Sequence, residues 1–415
     1  MKVARKTCVR DADVVTSGIR AGQDAFQRRA WREAYTQLSA ADRTERLDID
    51  DLQRLATAAH LTGRDDFADL WTRAHQECLR RGDPARAARC AFWLARGLID
   101  AGETGRAGGW LARARRLIDE EALDCAERGY LLIPQAVARF AEDPAGALEG
   151  FVAAGQIAEQ FRDRDLAVLA QMGQGRALVV LGAPARAFAL LDEVMVAVTS
   201  DEVSSLTAGD VLCGAIEACQ NALDMRRATE WTAALSGWCD TQPDLVPFRG
   251  NCLVHRAEIM QLHGDWDDAV DAATRACEWL SGRPAVGEAL YRCAELYRVR
   301  GQFEEAEVTY RAAMDAGRQP QPGLALLRLA QGRVEDAEAA IRRVVDEAED
   351  DRVRRSQALA AYVEIVLTAG DVDSGRVAVD DIRGSLLPRW WTPQPRRRRP
   401  QDLWRDPPPH RGRGA

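Results

Sequence analysis

The chain has 415 residues, a formal net charge of −8 and no lysine beyond Lys6. The missing lysines exclude a Walker A phosphate loop, Schiff-base catalysis and a kinase-type phosphate lysine from nearly all of it. No run approaches the roughly 18 apolar residues a membrane helix needs, and no apolar segment follows the charged N-terminus, so neither a membrane span nor a signal peptide is expected.

In chain order, a six-residue spacing Gly-x-x-x-x-Ala recurs, weakly at first, ending at Ala34. Full copies follow at Gly63–Ala68 and Gly102–Ala107, a weak one ends at Ala147, and Gly182–Ala187 is full again. After a weak copy ending at Ala228 come Gly264–Ala269, Gly301–Ala306 and Gly332–Ala337, and a last weak copy ends at Gly375. Successive end positions lie 31 to 41 residues apart, the period of helix-turn-helix repeats.

The small residues have a physical purpose. Gly in the turn can take the left-handed conformation that ends a helix, and Ala early in the next helix lets the two helices approach. Twelve residues before that Ala the chain is again usually small, at Gly22, Ala56, Ala95, Gly175, Ala257, Ala294 and Ala325. Four residues after it stands a bulkier group such as Leu38, Leu111, Phe151, Leu191, Tyr310 or Ile341. Seven after it come Ala41, Ala114, Ala154, Val194, Ala276 and Ala313. Offsets of four and seven share one helical face.

These offsets resemble the tetratricopeptide repeat, best matched from Ala294 to Ala313 through Gly301-Gln-Phe303-Glu-Glu-Ala306. The expected fold is all-α, a tetratricopeptide-like helical-hairpin solenoid of about ten pairs wound as a right-handed superhelix. Expected boundaries are an N-terminal extension over 1–20, the array over 21–383 and a disordered tail over 384–415.

The tail differs in composition. Gly384–Ala415 holds eight Arg against two Asp, leaving −14 on the preceding residues, and seven of the sixteen prolines fall there. Such a segment cannot continue a helix. It reads either as a basic arm that contacts nucleic acid through Arg396–Arg399, with Trp390, Trp391 and Trp404 stacking on bases, or as an out-of-frame translation of GC-rich DNA. The acidic body is a poor surface for nucleic acid.

Few side-chain groups suggest chemistry. Cys239, Cys252, His255 and His263 are the only potential metal cluster, and they lack the paired close spacings of structural zinc, so no metal is expected. The ten cysteines contain no Cys-x-x-Cys and fit a reducing cytoplasm, the expected location. Gly173-Gln-Gly175 starts like a dinucleotide loop but has no strand before it, and reads as helix packing. Carboxylate pairs such as Asp267-Asp268 and Glu304-Glu305 sit where they favour helix N-termini. No catalytic residue and no cofactor is expected. The segment Thr241–Gly250 links two helices through Pro243 and Pro247. Arg249, His255 and Glu258 beyond it are the candidate ligand contacts, because the first helix of each pair lines the groove of such arrays.

Several stretches go beyond a generic repeat: Arg89-Cys-Ala-Phe-Trp-Leu94, Gly109-Trp-Leu-Ala-Arg-Ala114, Glu230-Trp231, Trp238 to Gly250, Cys252-Leu-Val-His-Arg-Ala-Glu258 and Pro320 to Ala330. Together they resemble the helical-repeat region of actinobacterial LuxR-type transcriptional regulators, similar to the repeat domain of MalT-like proteins. The likeness covers roughly residues 20–383. It implies a sensor or interaction region that binds a protein partner or small effector. In that family DNA is read by a C-terminal helix-turn-helix, which this sequence does not carry, and some relatives have an N-terminal ATPase. The alternative is a stand-alone scaffold that binds partner peptides in its groove, unrelated to transcription.

Overall fold

The computed structural model describes residues 17–242, 244–348 and 352–386, and the expectations about the N-terminal segment before residue 17 and about the tail from residue 387 lie outside them. Among the described residues there are twenty helices and no strand. The first, α1, spans 17–27 and pairs with α2 (Trp31–Thr44). Pairs α3 (Ile49–Leu61) with α4 (Phe67–Arg80), α5 (Pro84–Asp100) with α6 (Thr104–Glu120), and α7 (Glu127–Arg139) with α8 (Pro144–Phe161) follow. Next come α9 (Arg164–Val180) with α10 (Pro184–Thr199), α11 (Ser205–Asn221) with α12 (Met225–Asp240), and α13 (Arg249–His263) with α14 (Trp266–Trp279). The last three are α15 (Val286–Val299) with α16 (Phe303–Asp315), α17 (Gly323–Ala330) with α18 (Val334–Glu347), and α19 (Arg352–Thr368) with α20 (Val372–Leu386). These ten hairpins make a tetratricopeptide-like solenoid. Helix α20 runs to Leu386, past the change of composition at 384.

The repeat positions do what their chemistry requires. The turn glycines Gly63, Gly102, Gly182, Gly264, Gly301, Gly332 and Gly370 all have φ between 62° and 89°. In two weak copies Arg29 (φ 60°) and Leu223 (φ 56°) take the same left-handed conformation without the glycine that would make it cheap. The alanines five residues on are buried to 1% exposure or less at Ala34, Ala107, Ala147, Ala187, Ala228, Ala269, Ala306 and Ala337. Packing of the two helices is close enough to forbid a side chain at some partners. A Cβ on Gly22 would lie 2.7 Å from Leu38 Cγ, and one on Gly175 would lie 2.6 Å from Leu191 Cγ. An alanine there overpacks the hairpin, at a cost of about 1–3 kcal/mol. Capping is local: Asp48, Asp83, Asp143, Asp163, Ser204 and Asp224 each accept a backbone N–H of the helix they precede.

The superhelix closes on itself. The segment between α12 and α13 returns to the first two hairpins, where the Val246 N–H donates to the Leu61 carbonyl at 2.8 Å. Trp31 Nε1 donates to Gln242 Oε1 at 3.0 Å, and Arg32 pairs with Asp244 at 3.2 Å. Arg29 reaches Asp201 at 2.8 Å, and the Gly102 turn abuts Pro284. Farther on, Gln357 of α19 donates to Asn221 at the end of α11 at 3.2 Å. Hairpins four to five apart in the chain are therefore neighbours in space.

Apolar packing follows the closure. One continuous core runs from Trp31 to Ile259, with small satellites around Ala25 and Ala88. Beyond it the apolar residues divide into three smaller cores, around Leu253–Leu296, Tyr291–Leu327 and Ala325–Ala378.

Candidate functional site

The first helix of every hairpin faces the inside of the superhelix, and between α9 and α15 that face carries a ladder of polar side chains. It begins with Arg176 on Glu217 at 3.1 Å. Gln220, one turn further along α11, donates to Glu258 of α13. Arg292 of α15 then pairs with Glu258 at 3.1 Å and donates to Gln261 Oε1 at 3.3 Å. Exposure falls along the ladder, from 47% for the Glu217 side chain to 13% for Arg292. Burial opposes the charge of Arg292, but Glu258 and Glu288 outweigh it and hold the guanidinium above its usual range. Its Nε–H is buried and has no acceptor among the described residues.

The three sequence candidates fall in different places. Glu258 is a rung of the ladder. His255 lies one turn before it and is buried, and burial holds its imidazole below the ordinary value and neutral, against the opposing pull of Glu217 and Glu258. Arg249 stands apart at the start of α13, where it secures the α12–α13 segment. Its Nε donates to the Leu245 carbonyl at 3.1 Å and its Nη2 to those of Cys239 and Gln242 at 3.3 and 3.2 Å, and its guanidinium lies 5.7 Å from the Trp279 ring centroid. The Cys239 carbonyl belongs to the last turn of α12 and the other two to the segment after it, so Arg249 ties the end of that helix to the segment that follows.

Toward the N-terminal end the inside is filled. Arg96 of α5 reaches across to Asp210 of α11 with two bonds of 2.8 Å and also binds Asp100 at 2.5 Å. Burial pushes the Asp210 carboxyl up, while Arg96 pulls it back. His60 lies beside this group, and burial drives it down to about 4. A Cβ on Gly209 would meet the Phe248 ring at 2.2 Å, so Phe248 plugs the space next to Asp210.

Clefts open at two other places among the described residues. One of about 530 Å³ lies between the turns before α7 and α9. Its acids are already satisfied: Arg89 holds Glu127 at 2.9 Å and Asp163 at 2.7 Å, and Tyr130 donates to Asp163 at 2.9 Å. The other, of about 620 Å³, lies between α12 and α13 and is lined by Met225, Thr229, Ile259, Leu262 and His263. Among the described residues no three of His, Cys, Asp and Glu gather where they could hold a metal ion, and Cys252 of the sequence cluster has the Ser236 hydroxyl at 3.6 Å. No helix among the described residues is long and apolar enough to cross a membrane.

Sequence reasoning missed Arg96, Arg176, Glu217 and Arg292. A signal existed for most of the ladder. Arg176, Glu217 and Glu258 of the ladder, and Arg96 before it, each directly follow the residue twelve before the repeat Ala, and each bonds across to the first helix of another hairpin. Arg292 lies outside it and is legible only in three dimensions.

No protein-family model matches the chain, and no curated protein matches it. Solved structures similar to it include yeast Tom70, at TM-score 0.40 and 13% identity over 90% of this chain and 92% of that one. The human IFIT1 dimer with m7Gppp-AAAA is similar at TM-score 0.43 and 12% identity, over 85% of this chain and 86% of that one. The APC/C hetero-tetramer Cut9–Hcn1 is similar at 0.35 and 13%, over 87% and 77%. The architecture itself rests on the ten hairpins described above.

Proposed function

We propose that the array is the sensor and interaction region of a LuxR-type transcriptional regulator, a cytoplasmic protein that recognises a protein partner or small effector and catalyses nothing. DNA would be contacted only through a helix-turn-helix outside this sequence. The observation that carries the recognition role is the unpaired, buried Nε–H of Arg292 at the closed end of a ladder that is open to solvent at Arg176 and Glu217. A ligand carbonyl or carboxylate entering there gains a charge-assisted hydrogen bond without displacing an existing one. Glu258, with His255 behind it, holds that guanidinium in place.

Support for the regulator reading comes from where the family-like stretches fall. Trp238 to Glu258 includes the segment that closes the superhelix, and Pro320 to Ala330 forms the turn and short helix α17. These are the parts of the chain that depart most from a plain hairpin.

Two experiments divide the readings. Sequencing the gene beyond codon 384 and translating all frames should show further repeats ending in a helix-turn-helix; their absence from every frame contradicts the regulator reading. A binding screen of the purified chain against small carboxylates and short peptides should give a hit that Arg292→Ala weakens at least about tenfold, the worth of one buried charged hydrogen bond. A hit indifferent to Arg292 places recognition elsewhere. The stand-alone scaffold is the second reading, and the cleft at Leu262, whose side chain is 59% exposed, favours it as a place for an apolar peptide residue.

A further inference from the structure

Six of the nine described cysteines stand in three thiol pairs, and each pair joins the second helix of one hairpin to the first helix of the next. Cys78 of α4 lies beside Cys90 of α5, and Cys239 of α12 lies beside Cys252 of α13. In the third pair Cys277 of α14 and Cys293 of α15 bring their sulfurs to 3.7 Å. Packing alone does not require this, since a free cysteine needs only an apolar neighbour. The pairs differ in access. Cys78 and Cys90 are fully buried and Cys239 and Cys252 nearly so, whereas Cys277 is half-buried above a buried Cys293.

We propose that Cys277 and Cys293 form a reversible dithiol–disulfide site that reacts with hydroperoxides, Cys277 as the nucleophile and Cys293 as the resolving thiol. The geometry suits the two roles. Cys277 is the more exposed residue of the two, and Cys293 sits at contact distance from it, needing to close by less than about 2 Å to reach bonding distance. Contact with the Cys293 thiol also holds Cys277 below its usual value despite burial, which favours the thiolate at that position.

The chemistry balances. The Cys277 thiolate attacks one peroxide oxygen and the O–O bond breaks. The other oxygen leaves, protonated, as an alcohol or water, and Cys277 becomes a sulfenic acid. Cys293 then attacks the Cys277 sulfur, the S–S bond forms, the S–O bond breaks and the hydroxyl departs as water with the Cys293 proton. Two thiols and one hydroperoxide become one disulfide, one alcohol and one water.

The location gives the bond a consequence. The α14–α15 turn lies between the two cysteines and carries Arg283 and Pro284, which rest against Gly63 and Gly102 of the early hairpins. A disulfide there fixes the junction from which the last three hairpins extend.

The test uses the full chain, reduced, freed of reductant and treated with dilute hydrogen peroxide, followed by alkylation and peptide mapping. The expected result is a Cys277–Cys293 linked peptide that dithiothreitol reverses and that forms at least about tenfold faster than links at the two buried pairs. In Cys293→Ser, shown to be folded by its circular dichroism, Cys277 should accumulate a sulfenic acid that dimedone traps. The proposal is overturned if Cys277 over-oxidises while Cys293 still alkylates, if the link forms only in denaturant, or if dimedone labels nothing in the variant.

Discussion

Hairpins one to six and hairpins eight to ten use the same repeat and hold together differently. In the first region Arg96–Asp210, Trp31–Gln242 and the Val246–Leu61 bond tie together helices far apart in the chain, and the apolar residues merge into one core. In the second region each hairpin packs on its neighbours, with the exposed Gln357–Asn221 bond reaching farther, and the core is divided. An open solenoid is stabilised by a sum of nearest-neighbour interfaces, whereas a closed one adds contacts that are lost all at once. The difference predicts cooperative unfolding of the first region and graded fraying of the second.

The largest effect should come from Phe248→Ala, which removes the plug over Gly209 and is expected to cost about 3–5 kcal/mol. In urea the early hairpins should melt at lower denaturant while the last three keep their midpoint. Tyr310→Ala deletes a fully buried ring in the second region and should destabilise hairpins eight and nine alone. Equal shifts of one whole-chain transition by both variants would erase the distinction.

Acid should also act on the first region. His60 is neutral when folded, with its value lowered from 6.5 to about 4 by burial. Its contribution is therefore complete above pH 6.5 and lost as the pH falls through 4, up to about 3 kcal/mol. Asp210, raised by burial, works in the opposite sense, contributing at low pH and losing that contribution as the pH rises through its folded value. Stability measured against pH in His60→Gln should lose the acid-side fall between 6.5 and 4. An unchanged profile shows that other groups cause it.

Asp210→Ala should cost roughly 2–3 kcal/mol, toward the low end for breaking a buried pair, because the Arg96 side chain is 29% exposed. Thermal melts would read it. The smallest effect is a gain: Leu223→Gly relieves a left-handed non-glycine turn and should stabilise by about 1 kcal/mol, visible as a higher midpoint. A loss there would mean that the exposed Leu223 side chain packs usefully.

The repeat was legible because each hairpin uses the same small residues for the same steric reason, and Gly175 against Leu191 shows the spacing at work. The candidate site was only half legible. Glu258 could be placed on an inward face, whereas nothing in the sequence around Arg249 reveals that three carbonyls from the end of α12 and the following segment converge on it. Superhelical closure was illegible for a related reason. It depends on residues some two hundred positions apart, such as Trp31 and Gln242, and neither belongs to the repeat pattern.

Native-state hydrogen exchange on the full chain tests the central claim most directly. The account predicts that the buried helical amides of hairpins one to six, with the Val246 amide, exchange through one shared opening, while those of hairpins eight to ten open separately and sooner. A smooth gradient of protection from both ends, with Val246 exchanging freely, would contradict it.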